Sequence, residues 1–442
     1  MKRDFVYISE LGEHVGSEVT LKGWLRQKRS SGKISFLVLR DGSGVVQCVA
    51  LAKNLSAELF EACGALTLES SIEIRGTVKA DDRAPGGFEI GLTDMKLIGD
   101  GGDFPIQPKE HGVEFLFDKR HLYLRSSKPQ AVLRVRNEVL QACRDFFYER
   151  DFVLIDSPIL TPAACEGTTT LFETDYFGEN AFLAQSGQLY LEPACMAFGK
   201  VYCLGPTFRA EKSKTRRHLT EFWMLEPEVA FLEIDGLMEL AESFVTYIVG
   251  RTLERCSESL KVLERDTTKL EKLQAPFPRL RYDEVAKILL TEESQQRMRA
   301  EGAPLFEYGS DLGALDETLL TERYDLPVMV THWPAEIKSF YMQPAPDDPT
   351  KVLGLDVLAP EGYGEIIGGS QRIHDPELLD KRIREHDLPM EAFEWYLDVR
   401  RHGSVPHSGF GMGIERAVTW ICGIPHLREA IPYPRQIHRL YP

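Results

Sequence analysis

The stretch Val201–Phe231, VYCLGPTFRAEKSKTRRHLTEFWMLEPEVAF, decides how the rest of the chain is read. An apolar run ends at Arg209 and Glu211. Lys212, Lys214, Arg216, Arg217 and His218 crowd a loop, and Phe222, Trp223, Glu226 and Glu228 stand on a second run. The pattern predicts a strand, a cationic loop and a return strand. One arginine at a strand end, a cationic loop and an aromatic suit an anionic ligand with a flat ring, and a nucleoside triphosphate is the first candidate. The same residues fit a solvated hairpin with a charged tip equally well, so the choice rests on the rest of the chain.

A chain of 442 residues predicts two or three domains. With 43% hydrophobic and 27% charged residues it has the composition of a soluble globular protein. The net charge of −16 argues against nonspecific nucleic-acid binding over the whole surface. It leaves room for local basic faces, and two are visible: Arg26, Lys28, Arg29 and Lys33, and the loop just quoted. No apolar run approaches the ~20 residues that span a bilayer. The first residues, MKRDFVYISE, carry no signal-peptide pattern. Eight cysteines are scattered singly, with no CxxC pair and no zinc spacing. They read as buried, reduced thiols of a cytoplasmic protein with no membrane partner.

Five short strands, with a helical pattern (LSAELFEACG) after the third, fill the region from about Val19 to Gly99. That is the order of an OB-fold barrel, a platform for single-stranded nucleic acid. Phe36 could stack on a base while Gln47 and Glu89 bond its edge; on the residues alone, a core Phe36 and plain surface positions are the more natural reading. GDGGDFPIQPKEHG, Gly99–Gly112, has no periodicity and reads as a linker. The expected organisation is a barrel over 1–103, a hinge over 104–125 and a second domain over 126–442. That domain mixes helical and β-rich segments and reads as α+β.

In it, Val132, Val135, Val139, Cys143, Phe146 and Phe147 recur at helical spacing, and VLIDSPILTP follows as a short strand closed by Pro158. FLAQSGQLYLEPACMAFG reads as strand, tight turn and helix, with Ser186 the natural cap. Residues 257–325 read as a partly helical insertion without chemistry. The last third is β-rich, and HSGFGMGIERAVTWICG is a Gly-rich strand entering a helix near Ile414. Charged residues collect at element ends: Arg209, Glu211, Asp356, Glu365, Arg372 and Arg416. There is no GxxxxGK[ST] and no GxGxxG after a strand. A nucleotide site then needs Arg209, Arg416 and a carboxylate-held Mg²⁺.

At this point three segments resemble the signature motifs of class II aminoacyl-tRNA synthetases of the aspartyl/asparaginyl/lysyl subgroup, in the family's order. ERDFVLIDSPIL resembles motif one, GPTFRAEKSKTRRHLTEFWMLEPE motif two and GFGMGIERAVTWICG motif three. The N-terminal barrel resembles the subgroup's anticodon-binding OB-fold, and the resemblance implies that the second domain is an antiparallel β-sheet flanked by helices. The resemblance implies that Arg209 binds the α-phosphate and stabilises the transition state, and that Arg416 holds the γ-phosphate of a bent ATP. It implies that Phe222 stacks on adenine, that Glu211 and His218 contact ATP, and that Asp356 and Glu365 hold Mg²⁺. Glu166, Ser186 and Gln188 would hold the amino acid's α-amino group and close over it. Arg26, Phe36, Gln47 and Glu89 would meet the anticodon, and the motif one helix and strand would join a homodimer.

The substrate's side chain is read from the pocket. Aspartyl enzymes of this subgroup carry QSPQLYK, whose Lys pairs with the substrate carboxylate; here QSGQLYLE places Leu191 at that Lys and Gly187 at the Pro. Burying aspartate's charge without that cation costs several kcal/mol, on the order expected for an unpaired ion. An amide needs one donor and one acceptor, which Arg372 and Glu226 provide. Glu226 would also repel aspartate. The expectation is ATP-dependent ligation of L-asparagine to tRNA(Asn) through an adenylate. The rivals are a nondiscriminating aspartyl enzyme, and an asparagine synthetase on the same catalytic fold that needs no barrel.

Overall fold

The structure is a computed structural model that describes residues 3–162, 170–213 and 215–442. It divides into two compact units, Met1–Val113 and Glu114–Pro442. In the first, β1 (Glu18–Ser31), β2 (Ile34–Arg40), β3 (Val45–Leu51), α1 (Ala57–Ala65), β4 (Ser71–Ala80) and β5 (Phe88–Gly99) follow in order. The strands close into a barrel ordered β1-β2-β3-β5-β4. Alternation puts Leu21 and Leu25, Leu37 and Leu39, and Ile72 and Ile74 inside, where they form one core. The β2–β3 turn is set by Asp41, whose Oδ1 accepts from the backbone N–H of Ser43 and of Gly44 at 2.6 and 2.8 Å.

The second unit opens with α2 (Val113–Asp118), α3 (Arg120–Tyr123) and α4 (Ser127–Tyr148). A hinge is expected over 104–125, yet α2 and α3 make its second half largely helical. The physical reason is Arg120, a buried side chain that donates to the carbonyls of Pro432 and Ile431 at 2.8 and 2.9 Å. That bonding ties the segment to the C-terminal residues. Next come β6 (Val153–Leu154), β7 (Leu160–Thr161), β8 (Glu173–Tyr176), β9 (Glu179–Leu183) and α5 (Gln188–Phe198). The central hairpin is β10 (Lys200–Phe208) and β11 (Glu221–Ala230), followed by α6 (Ile234–Arg255). The insertion contributes α7 (Ser257–Val262), α8 (Thr268–Glu271), β12 (Arg279–Arg281), α9 (Tyr282–Leu289), α10 (Glu292–Ala300) and α11 (Ala314–Thr321). The rest is β13 (Val328–Pro334), β14 (Lys351–Ala359), β15 (Gly364–Gln371), α12 (Pro376–Glu385), α13 (Met390–Arg401), β16 (His407–Gly413) and α14 (Ile414–Cys422).

Eight strands form one sheet in the order β12-β13-β14-β15-β16-β11-β10-β6. All neighbours are antiparallel except β12 with β13 and β6 with β10. One face of the sheet is apolar. Leu225 and Val229 of β11, Met412 of β16 and Leu355 and Val357 of β14 pack there against Val132, Val135, Val139, Phe146 and Phe147 of α4 and Phe244 and Ile248 of α6. The helical spacing seen in the sequence is thus the buried stripe of α4. The intervening residues of β11 point to the other face, and that face carries the chemistry. The seven described cysteines are buried and free. Among the described residues no helix is long and apolar enough to cross a membrane.

Candidate active site

A cavity of about 490 Å³ lies on the polar face of the sheet. Its wall includes Ser186, Gln188, Arg209, Glu211, His218, Phe222, Glu226, Asp356, Glu365, Arg372 and Arg416. These residues come from six separate stretches of sequence, and the fold brings all of them to one place. Glu166 lies outside the described residues.

Period-two geometry explains β11. Phe222, Met224, Glu226 and Glu228 all line the cavity, while their neighbours face the core. The glycines of β16 make space for these side chains: a Cβ at Gly409 would stand 2.0 Å from Glu228 Oε2. Arg416 falls in the first turn of α14, as the motif predicts, and its Nη1 donates to the Glu365 carbonyl and carboxylate at 2.8 and 3.0 Å.

In one part of the cavity, Arg372 makes a two-pronged bond to Glu228, Nε to Oε1 at 3.1 Å and Nη2 to Oε2 at 3.0 Å. A third donor, Nη1, reaches Ser370 Oγ at 2.8 Å. Three of the five guanidinium N–H groups are used, which leaves donors for a ligand. Burial works against the Arg372 charge, but Glu228 outweighs it. The sequence places Glu226 and Glu228 on the same strand but gives the acceptor role to Glu226 alone; the alternation that puts Glu228 two residues along the same face was the available signal. Glu226 is held differently. Its carboxylate accepts from the Ser186 hydroxyl, from Gly187 N–H at 2.8 Å and from Cys203 Sγ at 3.4 Å. Burial raises its pKa against these bonds. Ser186 was expected to cap α5. The N-cap position is Gly187, yet Ser186 Oγ accepts from Gln188 N–H at 3.0 Å, so the hydroxyl still serves the helix.

Beneath Gln188 lies a group the sequence did not disclose. Glu192 is fully buried and accepts from Gln188 Nε2 at 3.0 Å, from Tyr396 Oη at 2.7 Å and from Arg400, with His407 Nε2 at 2.9 Å. Burial alone would raise this carboxyl, but Arg400 and His407 outweigh it and hold it well below the usual range. Its signal was faint: a polar pair four residues apart on an otherwise apolar helix. Leu191 packs with Cys195, Val201 and Cys203 and contributes no cation to the cavity.

Elsewhere in the cavity wall, Asp356 and Glu365 converge across Gly368. A Cβ there would stand 2.7 Å from Glu365 Oε1 and 3.8 Å from Asp356 Oδ1. Lys338, which no motif announced, donates to Asp356 Oδ2 at 2.9 Å. Burial, offset by Lys338 and reinforced by Glu365, pushes the Asp356 carboxyl up to about 7. Burial would raise Glu365 as well, but Arg416 and Lys338 hold it below the usual range. Two crowded carboxylates of this kind fit a divalent cation that also takes phosphate oxygens. Among the described residues no group of three or more His, Cys, Asp and Glu forms a self-sufficient metal cage. Burial and Arg416 hold His218 below the ordinary histidine range.

On the barrel, Gln47 and Glu89 are partners in the β3–β5 register, and Gln47 Nε2 donates to Glu89 Oε2 at 3.1 Å. Phe36 is half-buried outside the core, with the Arg29 guanidinium 4.6 Å from its ring centroid. Arg29 also donates to Gln47 Oε1 at 3.4 Å. Arg26 is exposed and is the extra residue of a bulge, because the register steps from Leu25↔Leu39 to Gln27↔Val38. The four predicted residues therefore lie on the β1–β2–β3–β5 side of the barrel.

A closed barrel, a largely antiparallel sheet carrying three ordered motifs and a cavity lined by Arg209, Arg372 and Arg416 define a class II aminoacyl-tRNA synthetase. A family model described as tRNA synthetases class II (D, K and N) matches residues 112–437, and an OB-fold nucleic acid binding domain model matches residues 19–98. Asparagine–tRNA ligase of Chloroflexus aurantiacus is 56% identical over 98% of both chains, and that of Koribacter versatilis 54% over 98% of both. A solved structure of asparaginyl-tRNA synthetase from Pyrococcus horikoshii, complexed with asparaginyl-adenylate, is 44% identical and superposes with a TM-score of 0.93 over 99% of both chains. The chain belongs to the asparagine–tRNA ligases of class II.

Proposed function

We propose that the cavity activates L-asparagine with ATP and passes it to tRNA(Asn), with the following division of labour. The substrate's α-carboxylate is already a nucleophile, so the site needs charge and position more than acid–base chemistry. A carboxylate oxygen attacks the α-phosphorus in line; the P–O bond to diphosphate breaks, and asparaginyl-adenylate and diphosphate result. A terminal ribose hydroxyl of the tRNA then attacks the acyl carbon, and AMP leaves. Arg209 sits at the end of β10 where it meets the α-phosphate, and Arg416 takes the γ-phosphate. Phe222 supplies the face for adenine, flanked by Glu211 and His218. Asp356 and Glu365 would hold Mg²⁺, which would neutralise phosphate charge.

Arg372 donates to the oxygen of the side-chain amide and Glu228, beside it, accepts from the amide nitrogen. Glu226 adds a second buried carboxylate that opposes aspartate. Ser186 and Gln188, with Glu166, hold the α-amino group. On the barrel, Arg26, Phe36, Gln47 and Glu89 read the central base of the anticodon. A homodimer through motif one is supported by β6, an edge strand whose Val153 and Leu154 are 38% and 48% exposed.

The observation that carries this reading is the Arg372–Glu228 fork, which offers a donor and an acceptor side by side as a primary amide requires. The test is asparagine-dependent exchange of label between diphosphate and ATP. Arg416→Ala is expected to lower it by ~10²–10³, the loss typical of one preorganised charge-stabilising group. Exchange within a few-fold of the parent would remove Arg416 from the phosphate site.

A further inference from the structure

The insertion was expected to carry no chemistry, yet one of its helices reaches the cavity wall. Glu317, on α11, accepts from Arg217 Nη1 at 2.6 Å, and the two side chains are 14% and 15% exposed. Arg217 belongs to the motif two loop, 100 residues away. Its Nη2 donates to the Gly362 carbonyl at the entry to β15. Gly364, at φ +75°, completes the cradle: a Cβ there would stand 2.1 Å from Glu317 Oε2 and 2.6 Å from Arg217 Nη1. Three elements thus close on one guanidinium.

That guanidinium borders two cavities. One is the nucleotide cavity; the other, of about 190 Å³, is also lined by Arg216, Arg416, Glu361, Tyr363 and Thr419. Glu361 is already bound by Arg265 through two hydrogen bonds of 2.9 and 2.7 Å. Arg216, Arg217 and Arg416 thus meet at the junction, and guanidinium forks suit the β,γ-diphosphate end of ATP. Glu317 is an uncomfortable place for a carboxylate, since burial and Glu365 push it up to about 7 against the pull of Arg217.

We propose that Glu317 is a positioning residue for the activation step, fixing Arg217 where its guanidinium meets the diphosphate portion of ATP and of the departing diphosphate. The proposal rests on the reading of the large cavity as the ATP site. It also gives the insertion a role: α11 braces the motif two loop from outside the motif.

The test is steady-state exchange kinetics on the full chain. Glu317→Ala is expected to raise the KM for ATP and the inhibition constant of diphosphate about tenfold, with the KM for asparagine within about twofold. Glu317→Gln keeps an acceptor oxygen and should recover most of the loss. The double variant Glu317→Ala, Arg217→Ala should raise the KM for ATP no further than Arg217→Ala alone, because the two act as a unit. Additive losses, or equal losses for ATP and asparagine, would overturn the proposal and leave a structural role. Arg416→Ala is the control. An unchanged KM for ATP in Glu317→Ala would also overturn the role of Glu317; if Arg416→Ala left it unchanged as well, the ATP reading of the cavity would fall with it.

Discussion

Gly187 and Glu226 show how one atom can set a pocket. Aspartyl enzymes of the subgroup have proline where Gly187 stands, and proline has no N–H. Here that N–H holds the Glu226 carboxylate at 2.8 Å. A side chain also has no room, since a Cβ would lie 2.5 Å from Ser157 Oγ and 2.7 Å from Cys203 Sγ. The glycine noted in the sequence as a departure from the aspartyl pattern is thus the residue that anchors the Glu226 carboxylate in the cavity wall. Removing the charge while keeping the shape should relax selectivity. Glu226→Gln is expected to narrow the preference for asparagine over aspartate in kcat/KM by at least about tenfold, the equivalent of ~1.4 kcal/mol. Unchanged discrimination would take Glu226 out of recognition. Arg372→Ala should abolish asparagine activation, because it removes the amide donor and leaves Glu228 buried and unpaired.

At the scale of elements, the helix α5 is fastened to α13 and β16 through Glu192. Glu192→Ala leaves Arg400 buried without its carboxylate, which costs ~3–5 kcal/mol, to be read as a fall in the thermal unfolding midpoint. The sign of the pH effect follows from the depressed pKa. Stability from Glu192 is fully present above its ordinary value of 4.5 and is lost as the pH falls below it. Glu192→Gln should therefore flatten the acid limb of the stability profile below about pH 4. An acid limb identical to the parent's would show that the carboxylate is not held low. The long helix α4, the strand entering α14 and the β10–β11 hairpin were legible because their apolar spacing matches 3.6 or 2 residues over many positions. Lys338, Glu192 and Glu317 were not. Each reaches its partner through tertiary packing, from a connecting segment, an apolar helix and an insertion respectively, and no local period marks them.

At the scale of the molecule, the two units were legible as separate folds from the Gly/Pro-rich stretch between them, though helices α2 and α3 begin within what reads as linker. The barrel's five strands and the position of its helix could be counted from the sequence. Its surface chemistry was half legible: Phe36, Gln47 and Glu89 were named, while Arg29, which spans Phe36 and Gln47, was seen only as part of a basic face. If the barrel reads the anticodon, its chemistry should separate from activation. Phe36→Ala is expected to raise the KM for tRNA(Asn) about tenfold or more through loss of ~1–3 kcal/mol of base stacking. Diphosphate exchange should stay at the parent rate. Loss of both activities would mean that Phe36 supports the fold instead.

The central claim is that this cavity selects an amide over a carboxylate and delivers it to tRNA(Asn). The most direct measurement is tRNA charging by the purified chain with asparagine and aspartate side by side, each with tRNA(Asn) and tRNA(Asp). Asparaginyl-tRNA(Asn) is the expected product, with aspartate charged on neither tRNA. Aspartate charged on either tRNA at a comparable rate would contradict that claim.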